Sequence, residues 1–160
     1  GLAIRDWGLT SSPIHFYVSQ SGSDNNNYCV ISTLPCLTVQ HAVDETLLFD
    51  VAGGNAEIDF QPGGSNTWTK NVSVNRPLRG AANGNAEPYN STDTSCAVSN
   101  SGQLILNGGG TATLAGGRRR CGALIVSDYA TVGIENLTMT GTGASCQSTV
   151  FDQLVGTVNI

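Results

Sequence analysis

The sequence predicts an all-β, solenoid-like fold carrying one short amphipathic helix near its N-terminus. Three observations lead there. Only 12% of the 160 residues are charged and 20 are Gly, with Asn, Ser and Thr abundant; a helical bundle would need many more Glu, Lys, Leu and Ala residues. The apolar residues fall in short runs broken by Gly, Pro and Asn, as strands and turns require. The last forty residues also repeat: Ala123–Asp128 can be laid over Gln147–Asp152 at an offset of 24, which puts Val126 on Val150, Asp128 on Asp152 and Ile134 on Val158. A period in the low twenties fits one turn of a solenoid whose inward residues stack on those of the next.

Taken in order, Gly1 to Ile14 is an apolar, extended arm with Leu2, Ile4, Trp7 and Leu9, interrupted by Gly8 and Pro13, which either folds back on its own domain or docks onto a neighbouring subunit. Phe16-Tyr17-Val18 is a short strand. Ser19 to Asn27 is a polar turn region in which Gly22 lets the chain bend. A cysteine-flanked loop ends at Pro35-Cys36. Thr38 is the expected N-cap of a helix that buries Val39, Ala42, Val43 and Leu47, is widened by Leu48 and is stopped by Gly53-Gly54. Strands are expected at Ala56–Phe60, at Trp68–Val74 as one alternating strand, at Gln103–Asn107 and at Thr111–Leu114. Asn75–Gly80 reads as a strand or corner with Leu78 inward, and Ala81–Asn100 as a long surface excursion.

Tyr17-Val18-Ser19, then Ser21-Gly22-Ser23-Asp24, Pro35 and Leu37-Thr38-Val39-Gln40-His41-Ala42-Val43-Asp44 form a pattern, YVS-x-x-G-x-D followed by P-[FC]-x-T-[IV]-Q-x-A-[VI]. It resembles the opening of right-handed parallel β-helix proteins of the pectate-lyase-like superfamily. Many such proteins are bacteriophage tail spikes, tail fibres or other virion proteins; others are polysaccharide lyases and hydrolases. The resemblance implies an all-β right-handed parallel β-helix with one N-terminal capping helix. It divides the chain into an attachment arm over 1–14, a strand, loop and capping helix over 15–54, and first coils over 55–160 that continue past the chain end. The match covers about thirty residues and includes none of the family's catalytic residues. It is specific for fold more than for function.

Charge limits the partners. A net charge of −5 argues against a general binder of nucleic acid or anionic membrane, which would need a basic face. No apolar run is long enough to span a bilayer, and none reads as a signal peptide. The chain stops at Val158-Asn159-Ile160 in strand-like sequence with no polar cap, which predicts a longer polypeptide or a partner chain over the open end. Among the five cysteines, Cys29 and Cys36 stand seven apart and suit a local disulfide; free, buried thiols are the commoner state of such residues. Cys96, Cys121 and Cys146 make the count odd. No C-x-x-C occurs, so no metal site and no cofactor is expected.

Residues suited to chemistry are few. Glycan cleavage needs paired carboxylates or a base beside a metal or cation. Asp128 and Asp152 would sit about 5 Å apart if they stacked on neighbouring strands; the bland alternative is two turn aspartates. Glu135 should face solvent. Arg118-Arg119-Arg120 is the basic cluster, suited to a polyanion or an acidic partner surface, or else a solvated charge run. His41 reads as a surface helix residue, His15 has no partner in sequence, and Gly108-Gly109-Gly110 lacks the Lys and helix of a phosphate loop. The resulting expectation is a structural virion component, the N-terminal part of a phage tail spike or fibre. It would be homotrimeric and docked through Leu2, Ile4, Trp7 and Leu9 onto other tail or baseplate proteins, with host surface polysaccharide as a ligand. The alternatives are a polysaccharide lyase or glycoside hydrolase, and a secreted or cell-surface adhesin.

Overall fold

The computed structural model describes residues 13–49, 55–78, 102–116, 123–128, 130–141, 151–153 and 156–160. Eleven strands and one helix lie among them: β1 Ile14–Val18, α1 Val39–Thr46, β2 Ala56–Phe60, β3 Thr67–Trp68, β4 Val72–Val74, β5 Leu104–Asn107, β6 Thr113–Ala115, β7 Leu124–Val126, β8 Ala130–Glu135, β9 Thr138–Thr140, β10 Phe151–Gln153 and β11 Gly156–Asn159. They form three sheets. The first has the order β1-β2-β5-β8-β11, the second β4-β7-β10 and the third β3-β6-β9. All the strand pairs are parallel. From β2 onward the chain visits the first sheet, then the third, then the second, and repeats that order.

The expected all-β right-handed parallel β-helix is corrected by this arrangement. Three separate parallel sheets of short strands, together with a short helix, make a mixed, α/β-like fold, and no closed solenoid is detected among the described residues. The reason lies in what the sequence signals measure. Low charge, frequent Gly and Asn, and a spacing in the twenties all report short parallel strands joined by turns. They carry no information on whether the sheets close around one axis. The repeat itself is also corrected. Phe151 lies opposite Leu124 and Asp152 opposite Ile125, an offset of 27, while Val158 lies opposite Val132, an offset of 26.

Period-two alternation explains the first sheet. Phe16, Ile58, Leu106 and Ile134 occupy one register column and are all buried. Ile14, Ala56, Leu104, Val132 and Val158 occupy the next. These columns join Val72, Val74, Leu124 and Val126 of the second sheet, and Trp68 and Leu114 of the third, in a continuous hydrophobic core. Trp68–Val74 is two strands in different sheets, separated by a corner at exposed Thr69 and Lys70. Alternation concealed that corner, because Trp68 and Val72 are both buried. Leu78 is inward as expected, in a loop and not a strand.

The helix keeps its expected start and loses its expected end. Thr38 caps it, and Val39, Ala42, Val43 and Leu47 are buried. It stops at Thr46, with Leu47 as C-cap, before the Gly53-Gly54 pair, which lies outside the described residues. Leu48 is 43% exposed instead of widening the apolar face. Phe49 takes the core position, edge-on to Phe16 with ring centroids 5.1 Å apart. Of the expected arm, residues 1–12 lie outside the described residues, as does the 81–100 excursion, and Ile14 already belongs to β1.

Leu106 is fully buried between Ile58 and Ile134. Leu106→Ala is expected to lower unfolding free energy by about 3 kcal/mol, whereas Glu135→Ala, on an exposed position, should change it by less than about 0.5 kcal/mol. Urea unfolding midpoints at constant m-value test both.

Candidate functional site

The stretch from β1 to α1 is organised by side chains the sequence presents in one short run. Asp24 Oδ1 accepts from the Leu37 and Thr38 amides at 2.7 and 3.1 Å, and Oδ2 accepts from Thr38 Oγ1 at 2.6 Å. Thr38 Oγ1 in turn accepts from the His41 amide at 3.2 Å, so one hydroxyl links the carboxylate to the first turn of the helix. Burial alone pushes the Asp24 carboxyl up, but the bonds from Thr38 and Leu37 and the nearby His41 outweigh it and hold the carboxyl below its ordinary range.

The loop between strand and helix is held equally closely. Asn27 Nδ2 donates to the Ser23, Leu34 and Pro35 carbonyls within 2.8–3.1 Å, and Asn27 Oδ1 accepts from the Cys29 amide at 2.9 Å. Cys29 and Cys36, both fully buried, are joined by a disulfide with Cα atoms 5.1 Å apart. Of the two states open in sequence, the disulfide is the one present. His41 is not a solvated helix residue: its Nε2 donates to the Asn27 carbonyl at 2.7 Å. Gly22 is required by close approach, since a Cβ there would collide with the Cys36 and Pro35 carbonyl oxygens.

This loop also covers the outer edge of the first sheet. The Tyr17 amide donates to the Cys29 carbonyl at 2.7 Å, the Cys36 amide to the Tyr17 carbonyl at 2.8 Å, and the Ser19 amide to the Cys36 carbonyl at 2.8 Å. An open strand edge is thereby satisfied within the chain. Gln40 docks the helix onto β4 by bonding both backbone groups of Ser73, at 3.0 and 2.7 Å.

The residues proposed from sequence for chemistry do not converge. Asp128 is exposed in a turn with φ of 52°, and Ser127 Oγ lies 3.4 Å from its carboxylate. The backbone register sets Asp152 opposite Ile125 and not opposite Asp128, so the expected stacking of the two is corrected. Glu135 is exposed, as read from alternation. Arg118, Arg119 and Arg120, together with Leu2, Ile4, Trp7 and Leu9, lie outside the described residues.

The sequence reading missed a polar cluster on the outer face of the first sheet. Register places His15 beside Glu57, and Tyr17, Asp59, Asn107 and Glu135 in the next outward column. His15 Nδ1 lies 2.7 Å from Asp59 Oδ2 in a hydrogen bond, and Asn107 Nδ2 donates to Glu57 Oε1 at 2.8 Å. Burial raises the Asp59 carboxyl above its ordinary range; the bond to His15 opposes the rise and the neighbouring Glu57 carboxyl adds to it. A groove of about 480 Å³ lies elsewhere, lined by Gln20, Thr38, Gln40, Thr67, Trp68 and Lys70 among others, with no carboxylate among its described lining residues. The Trp68 ring does not offer a stacking face there: it is 6% exposed, packs edge-on to Phe60 and donates its indole N–H to the Leu37 carbonyl at 3.0 Å.

No described helix is long and apolar enough to cross a membrane. Comparisons with protein-family models, with curated proteins and with solved structures returned no significant match.

Asp24 gives the sharpest test of this assembly. Because its folded carboxyl is held low, its stabilisation is present above the unfolded value of about 3.9 and is lost as pH falls through the folded value. Asp24→Asn should cost about 2 kcal/mol at pH 7. The gap to wild type should narrow as pH falls below that unfolded value and through the lower folded one, as followed by urea unfolding across pH.

Proposed function

We propose that this chain is a structural virion component, the N-terminal part of a phage tail spike, tail fibre or related appendage. It assembles as a homotrimer, attaches to tail or baseplate proteins through Leu2, Ile4, Trp7 and Leu9, and presents its body toward host surface polysaccharide. The observation that carries this reading is how the motif residues are used. Gly22, Asp24, Thr38 and Gln40, by which the chain resembles such appendages, are engaged in close packing or hydrogen bonds that build a loop and a helix. A motif consumed by internal bonds supports a structural role over a catalytic one.

The enzymatic alternative, a polysaccharide lyase or glycoside hydrolase, has one observation in its favour, the Glu57 and Asp59 carboxyls beside His15. One oxygen from each carboxyl lies within 4.8 Å of the other, closer than the roughly 5–5.5 Å of a retaining pair. The structural reading is therefore preferred.

Sedimentation equilibrium of the purified chain should give the mass of three 16.6 kDa chains, and the chain should co-sediment with particles from its source. Trp7→Ala should weaken that association about tenfold or more, as loss of an aromatic anchor does. A monomer that never associates with particles would sink the proposal.

A further inference from the structure

We propose that His15, Glu57 and Asp59 form a binding site for one divalent transition-metal ion on the outer face of the five-stranded sheet. The inference is independent of the virion reading. It rests first on convergence. One ligand atom from each residue, an imidazole nitrogen and two carboxylate oxygens, lies within 4.8 Å of the others. Metal–ligand bonds of about 2.0–2.2 Å put adjacent ligand atoms of a tetrahedral site roughly 3.3 Å apart, so side-chain rotation alone seats an ion. His15, with a side chain 44% exposed, has the room to turn.

The scaffold is suited to the task. The three ligands project from β1 and β2, strands in direct parallel register with His15 opposite Glu57 and Tyr17 opposite Asp59. Their backbones are fixed by the same ladder that buries Phe16 and Ile58 on the other face. Supporting contacts orient them. Asn107 holds Glu57 through its Nδ2, while its own Oδ1 accepts from the Gly109 amide at 3.0 Å. The Tyr17 ring lies stacked beside the imidazole, at 6.3 Å between centroids and 20° between planes. Metal ligands are commonly steadied by such neighbours.

Charge points the same way. Among the described residues the ion pairs are His15–Asp59 and His41–Glu45, so no Lys or Arg neutralises the Glu57–Asp59 pair. A divalent cation would offset both carboxylates at once. The donor set selects its class. One imidazole with two carboxylates suits Zn²⁺ and its neighbours, with water at the open position. Ca²⁺ takes six or more oxygens, and Mg²⁺ also favours oxygen ligands and retained waters. The other metal-like grouping, Cys29, Cys36 and His41, offers no thiolate because its cysteines are bonded to each other. The sequence expectation of no metal site considered only cysteine spacing and so passed over this cluster.

The test uses the full chain, stripped with a chelator and with free thiols alkylated, so that cysteine cannot supply the signal. Calorimetric titration with Zn²⁺ should show one site per chain. His15→Ala and Glu57→Gln should each weaken it at least tenfold. Ca²⁺ or Mg²⁺ at the same concentration should not compete. The chain has two histidines, so ring NMR signals of the unmutated protein give a second reading that no folding defect can confuse. His15 resonances should move on Zn²⁺ addition and those of His41 should stay. Absence of saturable binding, binding unaltered in both variants, or a shift confined to His41 would overturn the proposal.

Discussion

The carboxylate of Asp24 is the constraint on which the N-terminal half of the structure depends. It binds two amides and a hydroxyl at the start of α1 from a position thirteen residues upstream of Leu37. Because the hydroxyl is that of the N-cap, the carboxylate sets where the helix begins and, through the loop it anchors, where Cys36 meets Tyr17. Charge-assisted bonds of this kind are about twice as strong as neutral ones. Here they are spent on joining strand, loop and helix into one piece. The disulfide and the Asn27 amide then remove the freedom the loop would otherwise retain.

That piece serves the sheet in two ways. It covers the free edge of β1, and it lays Val39, Ala42, Val43 and Phe49 against the core that the columns of Phe16, Ile58 and Leu106 begin. Parallel sheets are stable when a face is buried, and the helix supplies part of that burial. The outward face is left to polar side chains, and the same register that aligns the core aligns His15 with Glu57, and Tyr17 with Asp59 and Asn107. Core order and the polar cluster are thus two consequences of one ladder.

Much of this was legible in the sequence, and the limits have physical causes. Thr38, Val39, Ala42, Val43 and Leu47 declared the helix because capping and helical spacing are local. Ala56, Ile58 and Phe60 declared β2 because alternation is local. What failed was what depends on distance. His15 and Asp59 are 44 residues apart, and nothing short of the β1–β2 register joins them. Cysteine spacing fixed the possible bridge of Cys29 to Cys36 but not its redox state. The 24-residue repeat missed the true offsets of 27 and 26 because matching apolar letters does not fix how many residues a turn consumes. Closure of the sheets was implied by the resemblance of about thirty N-terminal residues, with composition and the repeat in support, and none of these reports it. Asp24 itself stood in the motif, but its role required knowing that the helix start folds back onto the turn.

Native-state hydrogen exchange on the unmutated chain tests this account most directly. If Asp24, Asn27 and the disulfide weld loop, edge and helix together, the amides of Tyr17, Ser19, Cys36 and Leu37 open in one event, with free energies within about 1 kcal/mol of each other and of the His41 amide. If instead Cys36 and Leu37 exchange like exposed loop while Tyr17 stays protected with β2, the loop is an ornament on the sheet and the claim that Asp24 organises this half of the fold is wrong.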